Sequence, residues 1–250
     1  MVKNFNPALS VNLNKVALVR NARPGNFPDV LEFAKIAIKE GAQGITMHPR
    51  PDFRHSRPED LWVLKKNCPG ELNIEGNPFH QTEGEYPGFL KLVLGVKPNQ
   101  CTLVPDSHHQ KTSDHGWNLK EDGKRLFPIV EQLKQEGIRV SIFMDPDYPN
   151  WQEVKNLGCD RVELYTESWA QKFQTAQENV CLAEFQKAAK ALFDLGIEIN
   201  AGHDLNLENL KPIAQLKGLK EVSIGHALMV DAWRMGFALA VRSYLAVLQA

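Results

Sequence analysis

Short apolar runs in this chain keep ending on residues that move protons. Gly44-Ile-Thr-Met leads into His48, Leu72-Asn-Ile into Glu75, and Ile197-Glu-Ile-Asn-Ala-Gly into His203. Two more runs, Arg161-Val-Glu163-Leu-Tyr-Thr and Val222-Ser-Ile-Gly225-His226, repeat the habit. Between them lie segments with apolar residues at helical spacing, as at Val30, Phe33, Ala34 and Ala37. The periodicity predicts strands at Leu9–Leu18, Gly44–His48, Glu71–Gly76, Gln100–Pro105, Arg139–Met144, Arg161–Thr166, Ile197–Ala201 and Glu221–Ile224. It predicts helices near Pro28–Glu40, Pro58–Lys66, Glu85–Gly95, Glu121–Glu136, Asn150–Leu157, Gln177–Leu195, Leu207–Gln215 and from Ala227 onward.

Four of these helices stop just before a glycine, Gly41, Gly137, Gly158 or Gly196, as a left-handed cap requires. Eight strand–helix units with no linker or break in composition predict an α/β fold, a single (β/α)8 TIM barrel with extra helices, as one domain over residues 1–250. An open doubly wound sheet is the alternative, but no Gly-x-Gly-x-x-Gly follows the first strand. In a barrel the strand-end residues converge on the C-terminal rim. Two polar connections stand out, Asn21–Phe27 and Asp106–Leu119. The second carries His108, His109, Thr112, Ser113, His115 and Gly116 and is expected to be a lid over the site.

Composition narrows the partners. The chain is 43% hydrophobic and 24% charged, with a net charge of −1, so it can bury a large core but offers no field for nucleic acid or an anionic membrane. A local phosphate site survives that balance, because a helix N-terminus and a few arginines suffice. Cys68, Cys101, Cys159 and Cys181 are dispersed, which argues against a zinc ribbon or disulfide framework and fits a reducing compartment. The opening residues hold no apolar signal run and no stretch approaches a membrane span, so a cytoplasmic protein is expected.

The strand ends then supply chemistry. An imidazole can take or give a proton, which suits His48 at a strand end, and Arg50, Arg54 and His55 after it offer donors to a phosphate. Glu75 ends an apolar run, where burial can tune a general base, and Glu163 has a similar setting. For either carboxylate alone a structural ion pair is an open alternative. Gly202-His203 and Gly225-His226 each join an imidazole to a glycine that lets backbone amides approach a ligand. The second pair lies between the last strand and the last helix, where barrels bind phosphate. No His-x-His or His-x-x-x-His pair marks one element, so no metal is expected.

The run Asn12-Leu-Asn14-Lys15 with Arg20-Asn-Ala-Arg23, Gly44-Ile-Thr-Met-His48-Pro-Arg50 with Arg54-His55, Asn73-Ile-Glu75, Leu103-Val-Pro105, Asn200-Ala-Gly-His203 and Ile224-Gly-His226-Ala227 together resemble the pyridoxine 5′-phosphate synthase family, over nearly the whole chain. The resemblance implies a (β/α)8 barrel assembled as a homo-octamer built from dimers. It implies a transferase-type condensation of 1-deoxy-D-xylulose 5-phosphate with 3-amino-2-oxopropyl phosphate, giving pyridoxine 5′-phosphate, phosphate and water in vitamin B6 synthesis. No metal or organic cofactor is implied. Carried over by motif, His48 and Glu75 accept protons, His203 donates one and Glu163 stabilises a charged intermediate. Asn12, Arg23, Gly225 and His226 hold the amino-ketone phosphate, and Arg50, His55 and Thr112 the deoxyxylulose phosphate.

Three departures matter. Many members have Asp-His where this chain has Asn14-Lys15, and Gly where it has Asp204. Asn14 and Lys15 are expected to alter substrate affinity without abolishing activity, and Asp204 to turn its carboxylate away from the amino-ketone phosphate. The third is a longer Gly76–Gly88 segment. Competing readings are an aldolase- or epimerase-type phosphosugar barrel and a non-catalytic phosphate-binding barrel. An aldolase would want a Schiff-base lysine inside the barrel, and only Lys15 lies near its mouth.

Overall fold

A computed structural model describes residues 6–107, 110 and 113–250. Eight strands, β1 (Ala8–Asn12), β2 (Gly44–Met47), β3 (Glu71–Gly76), β4 (Gln100–Leu103), β5 (Arg139–Met144), β6 (Arg161–Tyr165), β7 (Glu198–Gly202) and β8 (Leu219–Ile224), pair in parallel in chain order. Val11 pairs with Ile45 on one side of β1 and with Ile224 on the other, which closes the barrel. Around it lie α1 (Asn14–Asn21), α2 (Val30–Lys39), α3 (Pro58–Asn67), α4 (Phe89–Val96), α5 (Leu119–Gln135) and α6 (Trp151–Leu157). The outer layer continues with α7 (Glu167–Lys172), α8 (Glu178–Asp194), α9 (Leu210–Ala214), α10 (His226–Met235) and α11 (Phe237–Gln249). The barrel is the architecture the periodicity predicts, and Gly41, Gly137, Gly158 and Gly196 all have positive φ, as caps do. No described helix is long and apolar enough to cross a membrane.

The first expected strand is wrong in its second half. β1 ends at Asn12, whose side-chain Oδ1 accepts from the Asn14 backbone N–H at 3.0 Å and turns the chain into α1. Val16, Ala17 and Arg20 are then the buried residues of that helix, a helical rather than alternating spacing. The last predicted helix is two, because Gly236, at φ 88° and ψ 145°, breaks it between α10 and α11. The short α7 lies in a stretch expected to be loop.

Alternation along the strands separates two environments. Leu9, Val11, Ile45, Met47, Leu72, Ile74, Val162 and Leu164 join helix residues such as Ala34, Leu61, Leu126 and Phe185 in one apolar cluster. The intervening residues are polar and bond to one another inside the barrel. Ser10 Oγ lies 2.7 Å from Thr46 Oγ1, Asn73 Nδ2 donates to Thr46 Oγ1 at 3.3 Å, and Thr102 Oγ1 donates to Asn73 Oδ1 at 3.1 Å. Gln100 of β4 donates to Glu221 of β8 at 3.2 Å, a bond that must cross the interior between strands that are not neighbours. Branched apolar side chains usually fill such barrels. Here each buried polar group needs its partner, since leaving one unsatisfied costs about 1–3 kcal/mol.

Candidate active site

The strands' C-terminal ends open onto a cavity of about 390 Å³. Asn12, Asn14 and Lys15 reach it from the junction of β1 and α1, and His48, Arg50, Arg54 and His55 from the segment after β2. Glu75 comes from β3, Glu163 from β6, His203 and Asp204 from the end of β7, and Gly225 and His226 from the start of α10. The fold therefore brings together residues far apart in the chain. Arg23 is exposed beyond α1 and does not line this cavity. Thr112, His108 and His109 lie outside the described residues.

His48 and Glu75 form the centre. His48 Nδ1 is 3.6 Å from Glu75 Oε1, a loose contact, and Asn12 Nδ2 donates to the same oxygen at 3.1 Å. Burial pushes the Glu75 carboxyl up, but His48, His203 and the Asn12 hydrogen bond outweigh it and hold it below the usual range. Glu75 is thus an ionised acceptor in an almost dry setting. Glu163 takes the opposite course: burial first, then the charges of Glu75 and Glu221, push it well above the carboxylate range. Two carboxylates in one cavity are set apart by their neighbours, the pattern that marks acid–base assignments.

The His203 ring packs between Phe143 and Tyr165, with centroids 4.9 and 5.3 Å away. Burial lowers its pKa, against the pull of Glu75 and Asp204, and so favours the neutral ring. His203 and Asp204 both have positive φ, 80° and 56°. The Thr166 hydroxyl lies 2.5 Å from the carbonyl oxygens of both Gly202 and His203, and Asn209 Nδ2 donates to Asp204 O at 3.1 Å. These anchors hold a backbone that favours glycine and that aspartate tolerates. The Asp204 side chain is exposed at the rim.

Two sets of hydrogen-bond donors flank the centre. Gly225 and His226 begin the ten-residue helix α10, whose free N–H groups and dipole favour a phosphate. A Cβ on Gly225 would sit 3.0 Å from Asn12 Cβ, so only glycine keeps this approach open. On the other flank stand Arg50, Arg54, His55 and Lys15. Arg50 and Arg54 each donate to Gln110 O at 3.1 Å, tying the connection after β4 to this flank. Asn14 is occupied structurally: its Oδ1 accepts from His48 N–H at 2.9 Å and from Ser56 Oγ at 3.0 Å.

His55 is neutral for a measurable reason. Burial, then His48 and Arg50, push its imidazole down to about 2. Its folded pKa is depressed, so its contribution to stability is present above the unfolded value and lost as pH falls. Below roughly 6.5 the unfolded chain takes a proton that the folded chain refuses, at about 1.4 kcal/mol per pH unit. His55→Gln is expected to flatten the loss of stability between pH 7 and 5, read from denaturant midpoints. Parallel slopes in variant and wild type would sink the assignment.

Ser113, named in the sequence only as part of the polar connection after β4, lines the cavity, and sequence reasoning passed over Ser223. It also passed over Asp106, fully buried behind the cavity, although the strand-end habit pointed there: Leu103-Val-Pro105 runs straight into it. Among the described residues no group of three or more His, Cys, Asp or Glu is arranged to hold a metal.

A closed parallel (β/α)8 barrel whose C-terminal rim gathers histidines and carboxylates into one cavity defines a class, the TIM-barrel enzymes. Within that class, the chain belongs to the family described as pyridoxal phosphate biosynthesis protein PdxJ, whose model matches residues 9–250. It is 48% identical over 242 residues to a pyridoxine 5′-phosphate synthase of Albidiferax ferrireducens, covering 95% of each chain. It is 45% identical over 245 residues to one of Xanthomonas axonopodis pv. citri, covering 96% of each. A solved structure of KGPDC from Streptococcus mutans superposes with a TM-score of 0.61 at 10% identity over 98% of each chain, a likeness of fold alone.

Proposed function

We propose that this chain is a pyridoxine 5′-phosphate synthase, condensing 1-deoxy-D-xylulose 5-phosphate with 3-amino-2-oxopropyl phosphate to close the pyridine ring, with release of phosphate and water. The observation that carries the proposal is that His48, Glu75 and His203 face one cavity, which Gly225 and His226 line together with Arg50 and His55.

The amino-ketone phosphate lies on Gly225, His226 and Asn12, and the deoxyxylulose phosphate on Arg50 and His55. Imine formation requires water to leave, and aromatisation requires protons to leave carbon. Glu75, held ionised, and His48 beside it take those protons. Burial favours the neutral form of His203, and an anionic intermediate next to it would offset that burial and let it carry the proton it donates. Glu163 is protonated for lack of a compensating cation. An iminium beside it would supply one, so that negative charge develops where positive charge does.

Gln110 fastened by both arginines and Ser113 on the cavity wall support the connection after β4 as a lid that excludes water. A cytoplasmic setting is supported by four unpaired cysteines. Leu18 and Val19 on α1, with Trp233 on α10 packed against it, stand exposed and support a homo-oligomer, as in an octamer built from dimers.

The test is direct. Incubation with both substrates should generate a pyridine chromophore together with one equivalent of phosphate. Phosphate release without the chromophore, or cleavage of the deoxyxylulose phosphate alone, would refute the assignment.

A further inference from the structure

We propose that Phe143 and Tyr165 are positioning residues: their rings form an apolar corner that holds the His203 imidazole and keeps water from that side, so that it meets substrate in one orientation. The inference rests on His203 acting as the proton donor, as proposed above.

The barrel interior is largely polar, and this corner is an exception within it. On β5, Val140, Ile142 and Met144 join the large apolar cluster, while Ser141 and Phe143 alternate with them and do not. Glu163 and Tyr165 alternate in the same way with Val162 and Leu164 on β6. Phe143, Tyr165 and Val104, the residue after β4, make a second, separate apolar cluster. The ring centroids of Phe143, Tyr165 and His203 stand 4.9, 5.1 and 5.3 Å apart, nearly an equilateral triangle. The imidazole meets the Phe143 ring at 59° and the Tyr165 ring at 85°, the tilted and edge-on contacts that aromatic pairs prefer.

Packing has to orient this ring, because hydrogen bonding does not. A histidine that moves protons is commonly held through one ring nitrogen by a carboxylate or a carbonyl. His203 Nδ1 is buried and has no hydrogen-bond partner among the described residues. Both walls of the corner are themselves fixed. Phe143 has no exposed surface, and its carbonyl accepts from Trp117 N–H at 3.1 Å. The Tyr165 hydroxyl donates to Glu167 Oε2 at 2.6 Å, and burial and Glu167 push its pKa up, so it stays a donor. That hydroxyl is engaged by Glu167, which leaves the ring to serve His203.

The corner also bears on what can charge the imidazole. Its titratable neighbours are Glu75 of β3, Asp204 next in the chain and His48 after β2. Glu163 lies against Gly202, and Asp114 and Glu167 surround Tyr165. Burial outweighs the upward pull of Glu75 and Asp204. Removing a ring admits water, weakens that burial and frees the imidazole to turn.

The experiment uses the full chain labelled with 15N-histidine. Solid-state spectra follow His203 from about pH 8 down to about pH 5, with its signal assigned by its loss in His203→Gln. In the wild type His203 should stay neutral to a lower pH than an ordinary histidine. Phe143→Leu and Tyr165→Leu should each move its titration upward and lower kcat about 10–100-fold, while KM for either substrate changes less. Tyr165→Phe keeps the ring and drops the hydroxyl, so its kcat should stay within about threefold of wild type. A wild-type His203 that titrates like an ordinary histidine overturns the proposal without recourse to any variant. So does an unmoved titration in either folded leucine variant, whatever its activity, or a Tyr165→Phe protein as slow as Tyr165→Leu. Should His203→Gln keep full activity, the reading of His203 as the donor fails instead, and the titrations still decide whether the two rings hold it.

Discussion

Glu75→Gln lowers kcat by about 10²–10⁴-fold, the usual worth of a positioned general base, and leaves KM for both phosphorylated substrates nearly unchanged. Glutamine keeps the shape and can still accept from Asn12 Nδ2, now 3.1 Å from Oε1, so the fold should hold. It cannot hold a proton. The change also removes the charge that draws the His203 pKa upward, so the proposed donor loses support along with the acceptor. Glu163 gains instead, since the Glu75 charge is one reason that its carboxyl stays high. Steady-state kinetics on both substrates, with a thermal melt as control, checks this. A kcat within about threefold of wild type, in a folded protein, would remove Glu75 from the chemistry.

Gly225→Val should instead act on binding. A Cβ at this position would already lie 3.0 Å from Asn12 Cβ, 3.1 Å from its Cγ and 3.2 Å from its carbonyl oxygen, and valine adds two methyl groups. Asn12 cannot move freely, because its side chain both accepts from Asn14 N–H and donates to Glu75. Overpacking of this kind costs about 1–3 kcal/mol in stability. The larger effect falls on the amides at the start of α10, which the branched side chain crowds. We expect KM for the amino-ketone phosphate to rise about 100-fold, while KM for the deoxyxylulose phosphate moves only a few-fold. Calorimetric titration with each substrate separates the two. Equal losses for both, or no loss for either, would place the amino-ketone phosphate elsewhere.

The eight strands, their order and the residues at their ends were legible before any coordinates, because each signal is local. Apolar runs, helical spacing and a capping glycine are read within about ten residues, and barrel closure then follows from repetition. Local reading failed where a side chain redirected the main chain. The Asn12–Asn14 contact turned half of an expected strand into α1, and Gly236 split the final helix. Among the described residues most of those expected at the site do line one cavity, Arg23 being the outlier, while Asp106 and Ser223 went unread.

The electrostatics of the site were not legible. Glu75 and Glu163 look alike as strand residues in sequence, yet the surroundings of one, His48 above all, hold it low, while burial and then Glu75 and Glu221 push the other up. The amino-acid order established which groups reach the rim, since the pleat alternates side chains whatever lies opposite. Closure of the barrel assigned their charge states and partners. Coulombic and desolvation effects depend on distance through space, and only the folded chain sets those distances.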